Sequence, residues 1–225
     1  MSLAATVQVQ QGGFRLDVEL TVASAETLVV VGANGAGKTT LLRTIAGLLP
    51  IDEGTIAADG VVLDDGGRIA VIPEARSVGY VFQDQRLFPH LSALDNVAFG
   101  LRAGGSSAAE SRARARSELD AFGVGDCAHR RPGDLSGGQA QRVALARTFV
   151  TRPKVLLLDE PFTAIDAMAR PMVRAVAFAR ATAIGCVTVL VTHDVGDAPS
   201  PDTSIIELVD GRIARRGRVA DFTQV

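Results

Sequence analysis

Aromatic side chains are scarce in this chain: they make up 4% of its residues, with no tryptophan and a single tyrosine. Proteins that hold single-stranded nucleic acid stack its bases on aromatic rings, so that class is disfavoured and no nucleic-acid partner is expected. Charge of one sign is also missing. The 23 Lys and Arg nearly balance the 25 Asp and Glu, and a net charge of -2 exerts no general pull on nucleic acid or anionic lipid. Cysteine occurs twice, at Cys127 and Cys186, far apart and without metal-ligand spacing. Such thiols read as reduced and structural, which fits a cytoplasmic setting. No apolar run approaches the roughly 20 residues of a membrane span. The opening "MSLAATVQVQQGG" lacks the basic start and apolar stretch of a secretory leader. The chain is therefore expected neither to cross a membrane nor to be secreted.

What is present describes a core-forming protein, 47% hydrophobic and 21% charged, long enough at 225 residues for one α/β domain with an inserted subdomain. "FRLDVELTV" alternates apolar and polar residues over 14–22, the period of a half-buried strand. "TLVVVG" runs apolar into glycine, as a fully buried parallel strand does. Helical spacing follows from Lys38 to Leu49 and stops at Pro50, and turn signals between β-rich runs over 54–81 indicate hairpin strands leading into "VGYVF". Between Leu91 and Thr151 the pattern is helical, which places a helical subdomain at about 86–150. "VLLLDE" then reads as a buried strand, 167–183 as a helix, "CVTVLVT" as another buried strand and "SIIELVDGRIARRG" as a closing hairpin. Alternating strands and helices imply a mostly parallel, wound sheet. The arginines of "SRARARSELD" read as a solvated helix face, with Glu110, Glu118 and Asp120 as counter-charges.

"GANGAGKTT", residues 32–40, fits G-x-x-x-x-G-K-[ST] and sits after a buried strand and before a helix, where its mechanism requires it. Glycines there let backbone N–H groups curl around phosphates, and the helix presents its positive N-terminus to them. Gly32, Ala33, Asn34, Gly35, Ala36, Gly37, Lys38, Thr39 and Thr40 are thus candidate ATP-binding residues, with Lys38 on the terminal phosphates and Thr39 on Mg²⁺. "VLLLDEP" adds two adjacent carboxylates at the carboxyl end of a buried strand. Asp159 is the candidate Mg²⁺ ligand, acting through water, and Glu160 the candidate base for the attacking water.

"DLSGGQAQRVALA", residues 134–146, places Gly137 and Gly138 at the head of an otherwise good helix. Glycine in a helix costs roughly 1 kcal/mol against alanine, so bare backbone must be wanted there. With "GANGAGKTT", "DLSGGQ" and "VLLLDEP" in this order, the whole chain resembles the nucleotide-binding subunits of ATP-binding-cassette proteins. The resemblance implies a P-loop NTPase core with a mostly parallel sheet, an N-terminal antiparallel β subdomain and an inserted helical signature subdomain, all in one domain over 1–225. It also implies ATP and Mg²⁺ as cofactors and a head-to-tail pair of copies, each ATP lying between the phosphate loop of one and the signature of the other. Ser136, Gly137, Gly138 and Gln139 would then meet the ATP held by the partner copy. Gln83 is similar to the family's loop glutamine, which contacts Mg²⁺, and His193 to its switch histidine, which contacts the γ-phosphate and positions Glu160. Asp166 in "TAID" matches the loop aspartate that communicates across the dimer, with Thr163 and Ile165 departing from the common Ser-Ala-Leu-Asp. Phe14 is read either as the family's adenine-stacking aromatic or as a core residue of its strand.

"RLFPHLSALDNVAFGL" resembles the importer members, whose groove near this segment receives a short helix of a membrane partner. The resemblance implies transmembrane permease subunits, an external solute-binding protein acting indirectly, and a peripheral place on the cytoplasmic face of the membrane. "PEARSVGYVFQDQRLFPH" is most similar to the ATPases for molybdate and related oxyanions, while sulfate, iron and thiamine importers share "VFQ". Molybdate ATPases typically continue into an oxyanion-binding domain after the core, whereas this sequence stops at Val225, so it is read either as part of a longer chain or as a short member, with a thiamine-type importer as an alternative. A soluble ATP-driven clamp is the reading from another class, without the zinc modules or coiled insertions it would bring.

Overall fold

Strict alternation builds the first half of the sheet. In β1 (Leu3–Gln11), Leu3, Ala5, Val7 and Val9 are buried, and in β2 (Phe14–Val22), Leu16, Val18, Leu20 and Val22 are buried. The pair is antiparallel, from Leu3 opposite Val22 to Gln11 opposite Phe14, so both apolar rows share one face. β3 (Thr27–Gly32) leads into the phosphate-loop segment and α1 (Lys38–Ile45). β4 (Glu53–Ala58) and β5 (Val61–Asp64) form a hairpin on the β1 side, and β6 (Val78–Val81) follows. β7 (Val155–Asp159) and β8 (Val187–Val191) are buried at every residue, as two-faced burial of a parallel strand demands. β9 (Ser204–Val209) and β10 (Arg212–Arg218) close the sheet.

In the computed structural model, which describes residues 2–222, these strands form one ten-stranded sheet in the order β5-β4-β1-β2-β10-β9-β3-β8-β7-β6. β9, β3, β8 and β7 are parallel neighbours, and the antiparallel half joins them through β2 and β10. The expected antiparallel subdomain is thus continuous with the parallel core. The final residues 223–225 lie outside the described residues. The opening segment, for which no strand is expected above, forms β1 and pairs with both β2 and β4.

The chain divides into two compact units, one of residues 1–80, 154–160 and 184–225, the other of 81–153 and 161–183. The helical unit therefore extends beyond the expected 86–150 and takes in most of the helix after β7. It holds α2 (Ala93–Ala103), α3 (Ala108–Ala121), α4 (Gly137–Phe149) and α5 (Arg170–Ile184). Ser92 and Ser107 cap α2 and α3 by accepting from the N–H groups of Asp95 and Glu110. The arginine run lies on a solvated face, with Arg112 on Asp95, Arg114 near Glu110 and Arg116 on Asp120. Glu118 instead meets Arg180 at 2.8 Å, and burial pushes its carboxyl above the usual range. Both cysteines are free thiols and buried. Among the described residues no helix is long and apolar enough to cross a membrane.

α1 stops at Ile45, short of the expected Leu49. The chain turns back just after it, Leu48 N–H returning to the Arg43 carbonyl at 2.9 Å, and the buried Arg76 guanidinium takes the last carbonyls, Nη1 donating to those of Thr44 (3.1 Å) and Ile45 (3.2 Å). Gly47 then turns at φ +77, where a Cβ would lie 2.5 Å from Arg76 Nε.

Candidate active site

The phosphate loop begins at the end of β3. Gly32 has φ +149, and a Cβ there would strike the Leu208 carbonyl of β9; Gly37 precedes α1 at φ +103, where a Cβ would fall 2.7 Å from the Phe14 ring. These two glycines let the loop lie flat against β9 and β2. Between them Ala33, Asn34 and Gly35 are exposed and Ala36 is buried. The Gly211 N–H, in the turn between β9 and β10, donates to the Ala36 carbonyl at 3.1 Å and fixes the loop from below. The first helical bond, from Leu41 N–H to Gly37 O, leaves the N–H groups of Lys38, Thr39 and Thr40 outside the ladder. Lys38 is buried and its Nζ donates to the carbonyls of Gly32 (2.7 Å) and Ala33 (3.0 Å), arching a cation over the loop. Exposed amides, a helix N-terminus and a held ammonium together make an anion cradle. Phe14 is half-buried, packed against the core with its ring edge over Gly37.

The carboxyl ends of β3, β8 and β7 line up beside this loop, with Val30 opposite Val191 and Val191 opposite Asp159. Asp159 is 3% exposed. Thr39 Oγ1 donates to its Oδ1 at 3.3 Å, and the Tyr80 hydroxyl donates to its Oδ2 at 3.1 Å. Burial pushes the Asp159 carboxyl up, aided by the neighbouring Glu160 charge and opposed by the Thr39 and Tyr80 hydrogen bonds and Arg43. A hydroxyl and a carboxylate are hard oxygen donors, the kind Mg²⁺ takes. Among the described residues no cluster of three or more His, Cys, Asp or Glu could hold a metal. That donor set fits a cation that keeps waters and completes its shell with phosphate oxygens, as Mg²⁺ does.

Glu160 follows Asp159 in the left-handed region at φ +51, its N–H donating to the Val191 carbonyl at 3.0 Å. A side chain other than glycine is held there at a cost of about 1–2 kcal/mol. The turn swings the Glu160 carboxylate onto His193, whose Nδ1 lies 2.6 Å from Oε2. The ring is 65% exposed and Glu160 13%. An ionised Glu160 accepts from Nδ1–H, which leaves Nε2 as the ring's second polar atom. The histidine loop is pinned one residue earlier, where Thr192 Oγ1 donates to Asp197 Oδ2 at 2.7 Å.

The other sequence candidates lie in the helical unit. Gln83 is exposed, two residues past β6. Ser136 caps α4 in a reciprocal box: its Oγ accepts from Gln139 N–H at 3.2 Å and its N–H donates to Gln139 Oε1 at 2.9 Å. Gly137 and Gly138 form the first turn of α4, and the "TAID" loop packs beside it, with the Ala164 carbonyl 3.1 Å from where a Gly138 Cβ would stand. Asp166 Oδ1 accepts from Ala169 N–H at 2.9 Å, before α5. Sequence reasoning missed Tyr80 and Arg76, because neither a strand tyrosine nor an arginine in a turn carries a local signal.

A family model described as ABC transporter matches residues 16–163. The Molybdenum import ATP-binding protein ModC of Mycobacterium tuberculosis is 46% identical over 212 residues, covering 92% of this chain and 58% of that protein. The Fe(3+) ions import ATP-binding protein FbpC of Streptomyces avermitilis is 42% identical over 200 residues, covering 89% of this chain and 56% of that protein. The chain thus spans little more than half the length of these curated relatives. A solved dimeric post-hydrolysis state of the ATP-binding cassette MJ0796, bound to ADP and Pi, superposes with a TM-score of 0.86 at 30% identity, over 97% of this chain and 99% of that one. With the matched stretch running from β2 through the carboxylate pair, and the fold agreeing over nearly its full length, the chain belongs to the ABC transporter family and has the fold of its ATP-binding cassettes.

Proposed function

We propose that the chain is the ATP-binding subunit of an importer, hydrolysing MgATP between two copies paired head to tail. The observation that carries this reading is the alignment of three elements at one sheet edge: the Lys38 loop, the Thr39–Asp159 pair and the Glu160–His193 pair. Loop amides and Lys38 would take the phosphates. Mg²⁺, when bound, neutralises phosphate charge, and Thr39 and Asp159 would hold it, with Gln83 as a further ligand. Glu160 accepts a proton from the attacking water while the water oxygen bonds to the γ-phosphorus; the bond from the γ-phosphorus to the β–γ bridging oxygen breaks, releasing ADP and inorganic phosphate. His193 keeps the Glu160 carboxylate on that water and offers Nε2 toward the γ-phosphate. Ser136, Gly137, Gly138 and Gln139 of the second copy would close over the nucleotide, and Asp166 would relay between the two sites. ATP then acts as a ligand of the closed pair, and closure moves the permease subunits.

Molybdate or a related oxyanion is the proposed solute, supported by a molybdenum-import relative at 46% identity. Ferric iron is the second reading, supported by an iron-import relative at 42%. An external solute-binding protein would deliver either, and the chain would sit on the cytoplasmic face of the membrane. Glu160→Gln tests the chemistry: ATP binding and closure should persist while turnover stops, and turnover at the parental rate would remove Glu160 as the base. Uptake of radiolabelled molybdate and ferric iron in cells with and without the gene decides the solute, since loss of molybdate uptake alone supports the first reading and loss of iron uptake alone the second.

A further inference from the structure

Asp159 is a buried carboxylate with two oxygens to satisfy, and the chain supplies one hydroxyl to each: Thr39 on Oδ1 at 3.3 Å and Tyr80 on Oδ2 at 3.1 Å. Thr39 is called on by the cation as well, so its bond to Asp159 cannot alone hold the carboxylate. The Cβ–Cγ torsion of an aspartate is soft and broad. Tyr80 is a different kind of donor. It sits in β6, next to β7 in the sheet, and its half-buried ring packs against the core. A phenol on a packed ring stops the carboxylate from turning. We propose that Tyr80 is a positioning residue for Asp159: its hydroxyl holds Oδ2, keeps Oδ1 toward Thr39 and the cation site, and thereby sets the affinity for Mg²⁺. This rests on the MgATP reading above. Partners that orient a metal's carboxylate ligand commonly change metal affinity by about 10–100-fold when removed.

Composition makes the role directly readable. Tyr80 is the single tyrosine and there is no tryptophan, so emission excited at wavelengths longer than phenylalanine absorbs comes from this ring alone. A phenol donating to a carboxylate loses emission to that acceptor. Any redirection of the Asp159 carboxylate therefore changes the signal from Tyr80.

The experiment starts from the Glu160→Gln protein, so that nucleotide is not consumed, saturates it with ATP in chelator and adds Mg²⁺ last. Calorimetry gives the Mg²⁺ midpoint, and Tyr80 emission is followed in parallel. Tyr80→Phe should raise the midpoint about tenfold while ATP still binds without Mg²⁺. With Tyr80 in place, emission should change at the calorimetric midpoint, and Asp159→Asn should brighten the metal-free protein. A purely structural Tyr80 would lower the unfolding temperature on replacement and leave the Mg²⁺ midpoint where it was, which overturns the proposal. Should Tyr80→Phe fail to fold, emission that stays flat through the Mg²⁺ addition and unchanged in Asp159→Asn overturns it equally. Absence of any ATP binding sinks the MgATP reading itself, whereas ATP binding with an unmoved Mg²⁺ midpoint sinks only the role of Tyr80.

Discussion

Replacing Gly137 by alanine should make the isolated chain more stable and its paired form inactive. A Cβ built at Gly137 meets only the Ala164 Cβ, at 4.0 Å, which is ordinary contact. The residue opens α4 on the exposed side, so nothing within its own chain requires a glycine. Alanine in a helix is favoured over glycine by about 0.5–1 kcal/mol. At this chain length 1 kcal/mol corresponds to a rise of about 2–4 °C in the unfolding temperature. Gly138 is the internal control: its Cβ would press within 3.1 Å of the Ala164 carbonyl and 3.5 Å of Ile165 Cα, so Gly138→Ala should gain less or nothing. Thermal unfolding of nucleotide-free protein measures the first effect, and light scattering of the Glu160→Gln form with MgATP measures ATP-driven pairing. Gly137→Ala should raise the unfolding temperature and abolish pairing. A stabilised protein that still pairs and turns over ATP would refute the argument that this backbone is kept bare for the partner's nucleotide. A destabilised one would show that the fold itself needs the glycine.

Arg76→Met should destabilise the chain by about 3–5 kcal/mol in urea unfolding, because it strands Asp64, whose side chain is 5% exposed, and uncaps α1. The double variant Arg76→Met, Asp64→Leu should recover much of that loss, and a double variant no better than the single one would contradict the stranded-charge account. A pH effect is expected at Asp95, whose carboxyl is held below the usual aspartate range chiefly by Ser92 and then by Arg112. A lowered folded-state pKa contributes stability above the unfolded value that is lost as pH falls through the folded one. Asp95→Asn should therefore cost under about 1 kcal/mol at neutral pH, as suits a solvent-screened pair, and progressively less on acidification. An equal cost in acid and at neutrality would assign the effect to the cap geometry alone.

Much of the site could be read locally because its chemistry is written in short contiguous segments. Residues 32–40 carry both the glycines and the strand-to-helix change that make an anion cradle, and 155–160 carry a buried strand and its terminal carboxylates. The serine caps of α2, α3 and α4 and the alternating burial of β2 are likewise local, since hydrogen-bonding reach along a helix and the two-residue period of a strand need no distant partner. The early end of α1 carries a local signal in Gly47, suited to the left-handed turn after a helix, against apolar spacing that continues to Leu49; the capture of the Thr44 and Ile45 carbonyls by Arg76, about thirty residues later, was not legible.

The sequence by itself thus determined most of the elements, the strand-loop-helix setting of residues 32–40 and the pair of carboxylates at the end of β7, because each depends on neighbours along the chain. Tertiary structure alone decided that β3, β8 and β7 are adjacent and in register, which brings Thr39 to Asp159 across 120 positions and His193 to Glu160 across 33. It also decided that Gly32 and Gly37 are bare because Leu208 and Phe14 fill their space, and that the chain's one tyrosine rests on the carboxylate at the end of β7. Such contacts arise from strand order and side-chain reach between remote segments, and no local pattern of residues encodes them.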